Sequence, residues 1–215
     1  MPESLTMIEE KEGMAVLTLN RASKRNALSR ALREEIVSRL DAFEKSEQIR
    51  SVVLTGSGPV FCAGFDRDEL ASGAMEEIFA DANEYHRRVF TFGKPLIAAI
   101  NGPALGGGCD LAAMCDFRVA ATTAVFGQPQ VRFGAAASYA LMRVVLGSGH
   151  AREMCLTGRS YDAEESLAIG FVNRVVPEHE LLTESEALAM TIASLPEGVA
   201  SNSKRAFVAQ QPDIF

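Results

Sequence analysis

Two hydrophobic periods run along this chain, one typical of strands and one typical of helices. Short apolar runs predict strands over residues 14–20, 51–56, 96–100, 117–121 and 172–176. Apolar residues at helical spacing follow Ser29 as far as Phe43 and predict a helix there. Further helices are predicted over residues 75–92, 136–146, 150–156, 163–169, 179–194 and 198–209. Strands separated by helices indicate a layered α/β core.

Composition narrows the class of protein. A chain of 215 residues with 47% hydrophobic content is long enough for one domain with a real core. No unbroken apolar run reaches the roughly 18 residues of a membrane helix, and the N-terminus MPESLTMIEEKEG lacks the features of a signal peptide. The net charge of −7 argues against nucleic acid as the main partner. We therefore expect a cytoplasmic protein whose four cysteines, without CxxC spacing, are reduced buried thiols.

The segment LIAAINGPALGGGCD, residues 96–110, is the most informative stretch of the chain. A strand-like run ends at Asn101, three glycines follow at 106–108, and Asp110 then opens an apolar run. Glycines at a strand-to-helix turn let the backbone approach a ligand, because no Cβ is in the way. The first N–H groups of the following helix have no intrahelical acceptor. A ligand oxygen that gains negative charge during a reaction would be stabilised there.

A second glycine turn follows the strand over 51–56 and reads FCAGFD, residues 61–66. Gly64 permits an unusual backbone bend, the N–H of Phe65 comes next, and Asp66 is placed to cap a short helix. Each turn alone is more often structural than catalytic. Together, one N–H from each turn can converge on a single carbonyl oxygen and form an oxyanion hole.

The two turns resemble those of the crotonase superfamily, which comprises enoyl-CoA hydratases, enoyl-CoA isomerases and their relatives. The resemblance runs from about residue 16 to 205 and includes RNAL at 25–28, FCAGFD at 61–66, NGPALGGG at 101–108 and FGQP at 126–129. It implies an α/β fold, a crotonase-like spiral of ββα units with a shortened helical C-terminal region. We expect one domain, with the core over 1–195 and part of the family's helical trimerisation region over 196–215.

The resemblance also implies which residues bind and react. The oxyanion donors fall on the backbone N–H groups of Phe65 and Gly107, which would hold the thioester oxygen of an acyl-CoA. The catalytic side chains fall on Asp110 and Gln130. The CoA-binding segments fall on Arg25, Ala27, Leu28, Ala63, Asp66 and Arg67. The CoA thioester is the substrate, no separate cofactor or metal is implied, and the expected assembly is a homotrimer or a dimer of trimers.

The catalytic positions and the loop after them depart from the family pattern. A typical hydratase carries a Glu at each position, whereas this chain carries Asp110, one methylene shorter, and Gln130, a neutral amide. Gln130 can hold a water but cannot exchange a proton near neutral pH. The loop 131–139 lacks the Pro-Gly-x-Gly-Gly motif that helps to shape the acyl pocket. Ser138 or Tyr139 can supply a hydroxyl there, although a helix N-cap is the favoured interpretation of Ser138.

Other candidate groups have plainer interpretations. Arg25 faces either a CoA phosphate or solvent. His86, on the predicted helix 75–92, is interpreted as a solvated or satisfied group rather than a catalytic one. The charged run 66–69 lacks a matching ligand cluster and is interpreted as a solvated helix start rather than a metal site. The chain stops at Phe215, earlier than family members usually do, so we expect a short member or a truncated chain.

Three functions remain open. In the first, an enoyl-CoA hydratase/isomerase, Asp110 carries a proton at the α or γ carbon and Gln130 positions water or substrate. The second is another reaction of the same oxyanion hole: thioester hydrolysis, decarboxylation or carbon–carbon cleavage. The third is a catalytically weak CoA-binding or scaffolding protein, motivated by Gln130, the altered loop and the short C-terminus. Isomerisation needs one proton carrier, whereas hydration must deprotonate water while the α carbon is protonated.

Overall fold

The computed structural model describes residues 4–71, 75–211 and 213–215. Residues 1–3, with which the predicted core and the N-terminal segment MPESLTMIEEKEG begin, lie outside the described residues. The strands in the described residues are β1 (Thr6–Lys11), β2 (Met14–Leu19), β3 (Ser51–Gly56), β4 (Leu96–Ile100), β5 (Ala104–Leu105), β6 (Phe117–Ala121), β7 (Val125–Gly127), β8 (Ser160–Asp162) and β9 (Arg174–Val176). The main sheet has the order β1-β2-β3-β4-β6-β9, and a smaller sheet has the order β5-β7-β8.

Helices connect and cover these strands. They are α1 (Arg30–Lys45), α2 (Arg67–Leu70), α3 (Met75–Phe90), α4 (Gly107–Met114), α5 (Tyr139–Thr157), α6 (Ala163–Ala168), α7 (Leu181–Ala193) and α8 (Val199–Ala209). Ser29 is the N-cap of α1, where its side chain accepts a hydrogen bond from the N–H of Leu32. None of the helices in the described part of the chain has the length and apolar content that crossing a bilayer requires.

The central strands β2, β3, β4 and β6 of the main sheet are largely buried on both faces, because they run parallel and need helical crossovers. Side chains alternate across it. Ala15, Leu17 and Leu19 belong to the large core that also contains residues of α1 and α4. Met14 and Val16 point to the other face and pack in the smaller core against α7. The strands that feed the glycine turns are therefore anchored from both sides.

The predicted strands of the main sheet are confirmed, with the last one shortened to β9. Sequence reasoning missed β1, which pairs antiparallel with β2 through a turn at Gly13, because its four central residues are exposed and show no alternation of apolar and polar side chains. It also missed β5, β7 and β8, which have two or three residues each and are too short to show a period.

The predicted helices 136–146 and 150–156 are confirmed as two helical segments that meet at a kink within α5. Gly147 interrupts it with a non-helical backbone, φ 72° and ψ 174°, so two helical segments meet there. The first segment starts at Tyr139 rather than at residue 136. This shift decides what Ser138 does, because Ser138 becomes the residue directly before the helix.

Candidate active site

The two glycine turns lie in direct contact. The N–H of Leu105 donates to the carbonyl of Cys62 at 3.0 Å, and the N–H of Cys62 donates to the carbonyl of Pro103 at 3.2 Å. A Cβ placed on Gly64 would lie 2.7 Å from the carbonyl oxygen of Leu105 and 3.3 Å from the nitrogen of Gly107. Gly64 has a φ of 95°, which side-chain-bearing residues rarely adopt. Glycine is required here by both its backbone angle and the space.

The N–H groups of Phe65 and Gly107 lie at this contact. Gly107 is the first residue of α4, so its N–H has no intrahelical acceptor. Within the described residues neither N–H donates to any protein acceptor. The Phe65 ring packs over Gly107, because a Cβ on Gly107 would lie 2.8 Å from the ring carbons. Two unused amides and a helix N-terminus make a suitable place for a developing oxyanion.

The segment around residues 25–28 runs alongside the first turn, as the resemblance implies for the CoA-binding residues. The N–H of Ala63 donates to the carbonyl of Arg25 at 3.0 Å, and the N–H of Leu28 donates to the carbonyl of Gly64 at 2.8 Å. Asn26 supports this pairing from within, since its buried amide donates to the carbonyls of Ser57 and Val60. The Arg25 side chain is exposed.

Asp66 has the capping role that the sequence predicts. Its carboxylate accepts the N–H of Asp68 at 2.9 Å at the start of α2 and pairs with Arg21. Burial opposes its ionisation, but the hydrogen bonds from Arg21 and Asp68 outweigh burial and lower the pKa of Asp66. The side chain is thus committed to the protein, whereas Arg67 is exposed. The run 66–69 forms no group of metal-ligating side chains with other described residues.

Asp110 is a buried carboxylate held at both oxygens. It lies in the first turn of α4 and is 3% exposed. Gln128 donates its side-chain N–H to Oδ1 at 2.7 Å, and the Ser138 hydroxyl donates to Oδ2 at 2.8 Å. Burial raises the pKa of Asp110 to about 6, against the two hydrogen bonds, which lower it. The group can therefore exchange a proton close to neutral pH.

Gln130 joins the hydrogen-bond network of Asp110 through Gln128. Its Nε2 donates to Oε1 of Gln128 at 2.6 Å, whereas its own Oε1 is buried and has no partner among the described residues. The amide orientations follow from charge: an ionised Asp110 only accepts, so Gln128 must turn its nitrogen towards it. Oε1 of Gln130 lies 3.4 Å from a Cβ placed on Gly106, directly before Gly107. It is an unused acceptor next to the proposed thioester site.

The N-cap interpretation of Ser138 is wrong for its side chain. Ser138 does precede α5, and its carbonyl accepts the N–H of Met142, but its hydroxyl makes no capping hydrogen bond and donates to Asp110 instead. Tyr139 is turned to a different partner, since a hydrogen bond with Arg152 lowers the pKa of its hydroxyl.

His86 is buried rather than solvated. Its ring centre lies 6.0 Å from that of Phe65, and its Nε2 has no hydrogen-bond partner within the described residues. Burial, and secondly the charge of Arg33, lower the pKa of His86 to about 4, so it is neutral near pH 7. His86 supports the Phe65 ring and carries no charge into the site.

Sequence reasoning missed Gln128 and Arg33. Arg33 is 1% exposed, pairs with Glu69 and Asp81, and holds its guanidinium carbon 5.2 Å from the centre of the Phe65 ring. The charge of Arg33 on a helix face gave no hint of burial. Gln128 stood inside the quoted FGQP motif, and its spacing from Gln130 was the available signal.

Comparison with known proteins places the chain in a family. A family model described as enoyl-CoA hydratase/isomerase matches residues 9–213. A probable enoyl-CoA hydratase of Mycobacterium bovis is 38% identical over 93% of this chain and 79% of that protein. A crotonyl-CoA hydratase of Syntrophomonas wolfei is also 38% identical, over 93% of this chain and 80% of that protein. The crystal structure of an enoyl-CoA hydratase from Bacillus anthracis superposes with a TM-score of 0.93 at 32% identity, covering 97% of this chain and 85% of that one.

The fold and the glycine turns thus define a crotonase-type acyl-CoA enzyme. The chain belongs to the enoyl-CoA hydratase/isomerase family. The predicted α/β crotonase fold and the predicted enzyme class are confirmed by this match.

Proposed function

We propose that this chain moves a proton on acyl-CoA thioesters through an enolate, and that double-bond isomerisation of an enoyl-CoA is the reaction its site supports best. The proposal rests on the burial and the hydrogen bonds of the Asp110 carboxylate. Asp110 is a buried carboxylate, held at both oxygens, on the helix whose first N–H has no acceptor within the described residues. Isomerisation moves one proton between two carbons, so one carboxylate serves first as base and then as acid.

The reaction starts with the thioester oxygen between the N–H groups of Phe65 and Gly107. Ionised Asp110 removes a proton from the α carbon of a 3-enoyl-CoA, and the electron pair moves onto the thioester oxygen, where the two N–H groups stabilise the charge. Return of the proton to the γ carbon re-forms the carbonyl and leaves a 2-enoyl-CoA. Each Asp110 oxygen accepts one protein hydrogen bond and keeps a second lone pair for the substrate.

Hydration is disfavoured by the residue at the second catalytic position. A water that adds to the β carbon must lose a proton, and the amide of Gln130 cannot take it near neutral pH. The buried Oε1 of Gln130 can only orient that water or a substrate hydroxyl. We therefore assign Gln130 to positioning and Asp110 to proton transfer.

The wider assignments are part of the same proposal. Residues 25–28, with Ala63 and Arg67, bind CoA, supported by the pairing of the two segments. Asp66 contributes to that region by holding Arg21 and capping α2. A homotrimer or dimer of trimers is supported by the exposed apolar side chains of Phe133 and Leu156. A cytoplasmic location is supported by the free cysteines, and no cofactor beyond the CoA substrate, nucleic acid or membrane partner is proposed.

Two assays run side by side test the assignment. Isomerisation of 3-enoyl-CoA and hydration of 2-enoyl-CoA are followed with the same enzyme preparation, and binding of CoA is measured by calorimetry. We expect faster isomerisation than hydration. Absence of both reactions with intact CoA binding would defeat the proposal and leave another acyl-CoA reaction or the non-catalytic alternative.

A different acyl-CoA reaction is the second candidate, because position 130 carries an amide in place of the second carboxyl group that hydration uses. Thioester hydrolysis, decarboxylation and carbon–carbon cleavage all pass through charge on the same thioester oxygen. Release of free thiol from a panel of acyl-CoAs separates hydrolysis from the others.

Replacing Gln130 by Glu should raise hydration. The new carboxyl takes the place of the Gln130 amide, which is linked to Asp110 through Gln128; once ionised it only accepts and gives up the bond to Gln128 Oε1. Because two nearby carboxyls disfavour double ionisation, one serves as acid and the other as base. We expect a rise in the hydration rate of about 10²-fold or more from the added general base, with isomerisation changed much less. Gln130→Met, which keeps the length without a titratable group, is the matched control and should leave hydration low.

The pH dependence of isomerisation should report Asp110. The base must be ionised, and burial raises the pKa of Asp110 to about 6. We therefore expect kcat/KM to be constant above that pH and to fall tenfold per unit below it. Initial rates from pH 4.5 to 8 measure this limb. A limb near pH 4, the range of an ordinary carboxyl, would contradict the assignment.

A further inference from the structure

Ser138 occupies a helix position at which serine normally stabilises the helix. An N-cap serine usually turns its hydroxyl back to an N–H of the first turn. Ser29 at the start of α1 and Asp162 at the start of α6 do this in the same chain. Ser138 does not: its φ is −74° and ψ 64°, and its hydroxyl points to Oδ2 of Asp110 at 2.8 Å.

The two partners of Asp110 differ in what they can do when its proton moves. The nitrogen of Gln128 only donates, and its oxygen is already occupied by Gln130. The hydroxyl of Ser138 donates to the ionised carboxylate and, after rotation about its C–O bond, accepts from the protonated acid. Ser138 thus keeps a hydrogen bond to Asp110 in both protonation states.

We infer that Ser138 is the positioning residue of the proton carrier: it fixes the plane of the Asp110 carboxyl and follows its proton through the reaction. This rests on the proposed role of Asp110 and goes beyond it. Ser138 touches the carboxyl rather than the reacting carbons, so it acts through Asp110.

The titratable groups near Asp110 keep the same charge over the pH range in which Asp110 titrates, so they do not follow its proton. Those that interact electrostatically with the carboxyl come from its own helix and from each segment packed against it: Cys62, Tyr85, Cys109 and Cys155. Burial raises the pKa of each, so all four are neutral between pH 4.5 and 8. The buried cation on the far side, Arg118, donates to the carbonyl of Cys115 at the other end of α4. No titratable neighbour in the described chain changes charge with Asp110 in that range.

The variant Ser138→Ala tests the role. It removes a hydrogen bond that is stronger to the ionised carboxylate than to the protonated acid, so the acid limb of kcat/KM should move to higher pH by about one unit. The rate on the plateau should fall about tenfold or more as the carboxyl loses its orientation. Ser138→Thr retains the hydroxyl and should restore both the limb and most of the rate.

Two further measurements separate this role from a purely structural one. Asp162→Ala removes a true N-cap and should lower the thermal midpoint while leaving the acid limb in place. Titration of the Asp110 carboxyl by ¹³C NMR, assigned with Asp110→Asn, should show the same upward movement in Ser138→Ala without any substrate. This readout remains valid if isomerase turnover is absent, so failure of the proposed function and failure of the Ser138 role are distinct.

The inference is overturned by either of two outcomes. One is Ser138→Ala with an unchanged limb and an unchanged carboxyl titration. The other is an equal loss of rate in Ser138→Ala and Ser138→Thr, both with an unmoved titration, which would mean that residue 138 matters only for packing.

Discussion

Asp110→Asn is expected to reduce isomerisation by about 10²–10⁴-fold, the range attributed to general acid–base catalysis. The substitution is close to isosteric in this network. The Asn oxygen still accepts from Gln128, and the Asn nitrogen donates to the Ser138 hydroxyl, which then acts as acceptor. What is lost is the ability to take and return a proton. The loss should therefore lie in kcat, and CoA binding by calorimetry should stay near the wild-type value.

The same variant is its own control for folding, because its free energy of unfolding should rise while its activity falls. Burial raises the pKa of Asp110 from 3.8 to about 6, so the folded protein binds this proton more tightly than the unfolded chain. Stability from this group is complete below pH 4 and is lost as the pH rises through about 6, by about 3 kcal/mol in the limit.

Asn carries no such penalty. Asp110→Asn should gain in free energy of unfolding relative to wild type between pH 4 and 6, and the gain should level off above that range. Urea unfolding at pH 4 and pH 7.5 measures the difference. An inactive variant that is also less stable at pH 7.5 would indicate misfolding instead of a lost proton carrier.

Gly64→Ala should cost about 10²–10³-fold in kcat, the range found when one oxyanion donor is removed. The added Cβ would lie 2.7 Å from the carbonyl oxygen of Leu105, closer than real Cβ contacts, and 3.3 Å from the nitrogen of Gly107. The backbone must shift to relieve this, and the shift separates the N–H groups of Phe65 and Gly107. Steady-state kinetics on 3-enoyl-CoA together with circular dichroism measure the effect.

Gly170→Ala is the matched control for backbone strain. Gly170 has a φ of 76°, and a Cβ there would meet nothing within 4 Å. It should lower stability by about 1–2 kcal/mol, the cost of a left-handed conformation, without loss of kcat. If both glycine variants lost kcat to the same extent, the two amides would not be the oxyanion donors.

How much of the site could be predicted follows from how local each feature is. The glycine turns and the first carboxylate could be read directly, because a turn that needs positive φ or close backbone approach demands glycine whatever surrounds it. The pairing of Leu28 with Phe65 and of Cys62 with Ala104 could not be read from periodicity, since each is an isolated bridge between distant segments. The family resemblance implied that these segments meet, and the structure shows the hydrogen bonds that join them.

Ser138 illustrates where local reasoning fails. Its place before a helix predicts an N-cap, and the helix is there. The carboxylate of Asp110 lies in the first turn of another helix, 28 residues earlier in the chain, and competes for the same hydroxyl. A hydrogen bond stabilises a buried carboxylate oxygen more than it stabilises an N–H of the first helical turn, because that N–H can donate to water instead. His86 was misjudged and Arg33 was missed for the same reason, because burial of a polar side chain depends on what packs over it.

The sequence by itself determined the layered α/β class, the two glycine turns and the carboxylate that follows the turn at 106–108, because each depends on residue type and short-range spacing. The resemblance to the crotonase superfamily, rather than spacing, singled out residue 130 as the position where a second acid is lost. Tertiary structure alone decided how the carboxylate is held. It brought Gln128 and Ser138 to its two oxygens, raised its pKa through burial and left the oxygen of Gln130 without a partner among the described residues, beside the glycine turn at 106–108. Hydrogen bonds and burial are set by segments far apart in the chain, and their geometry exists only when the chain is folded.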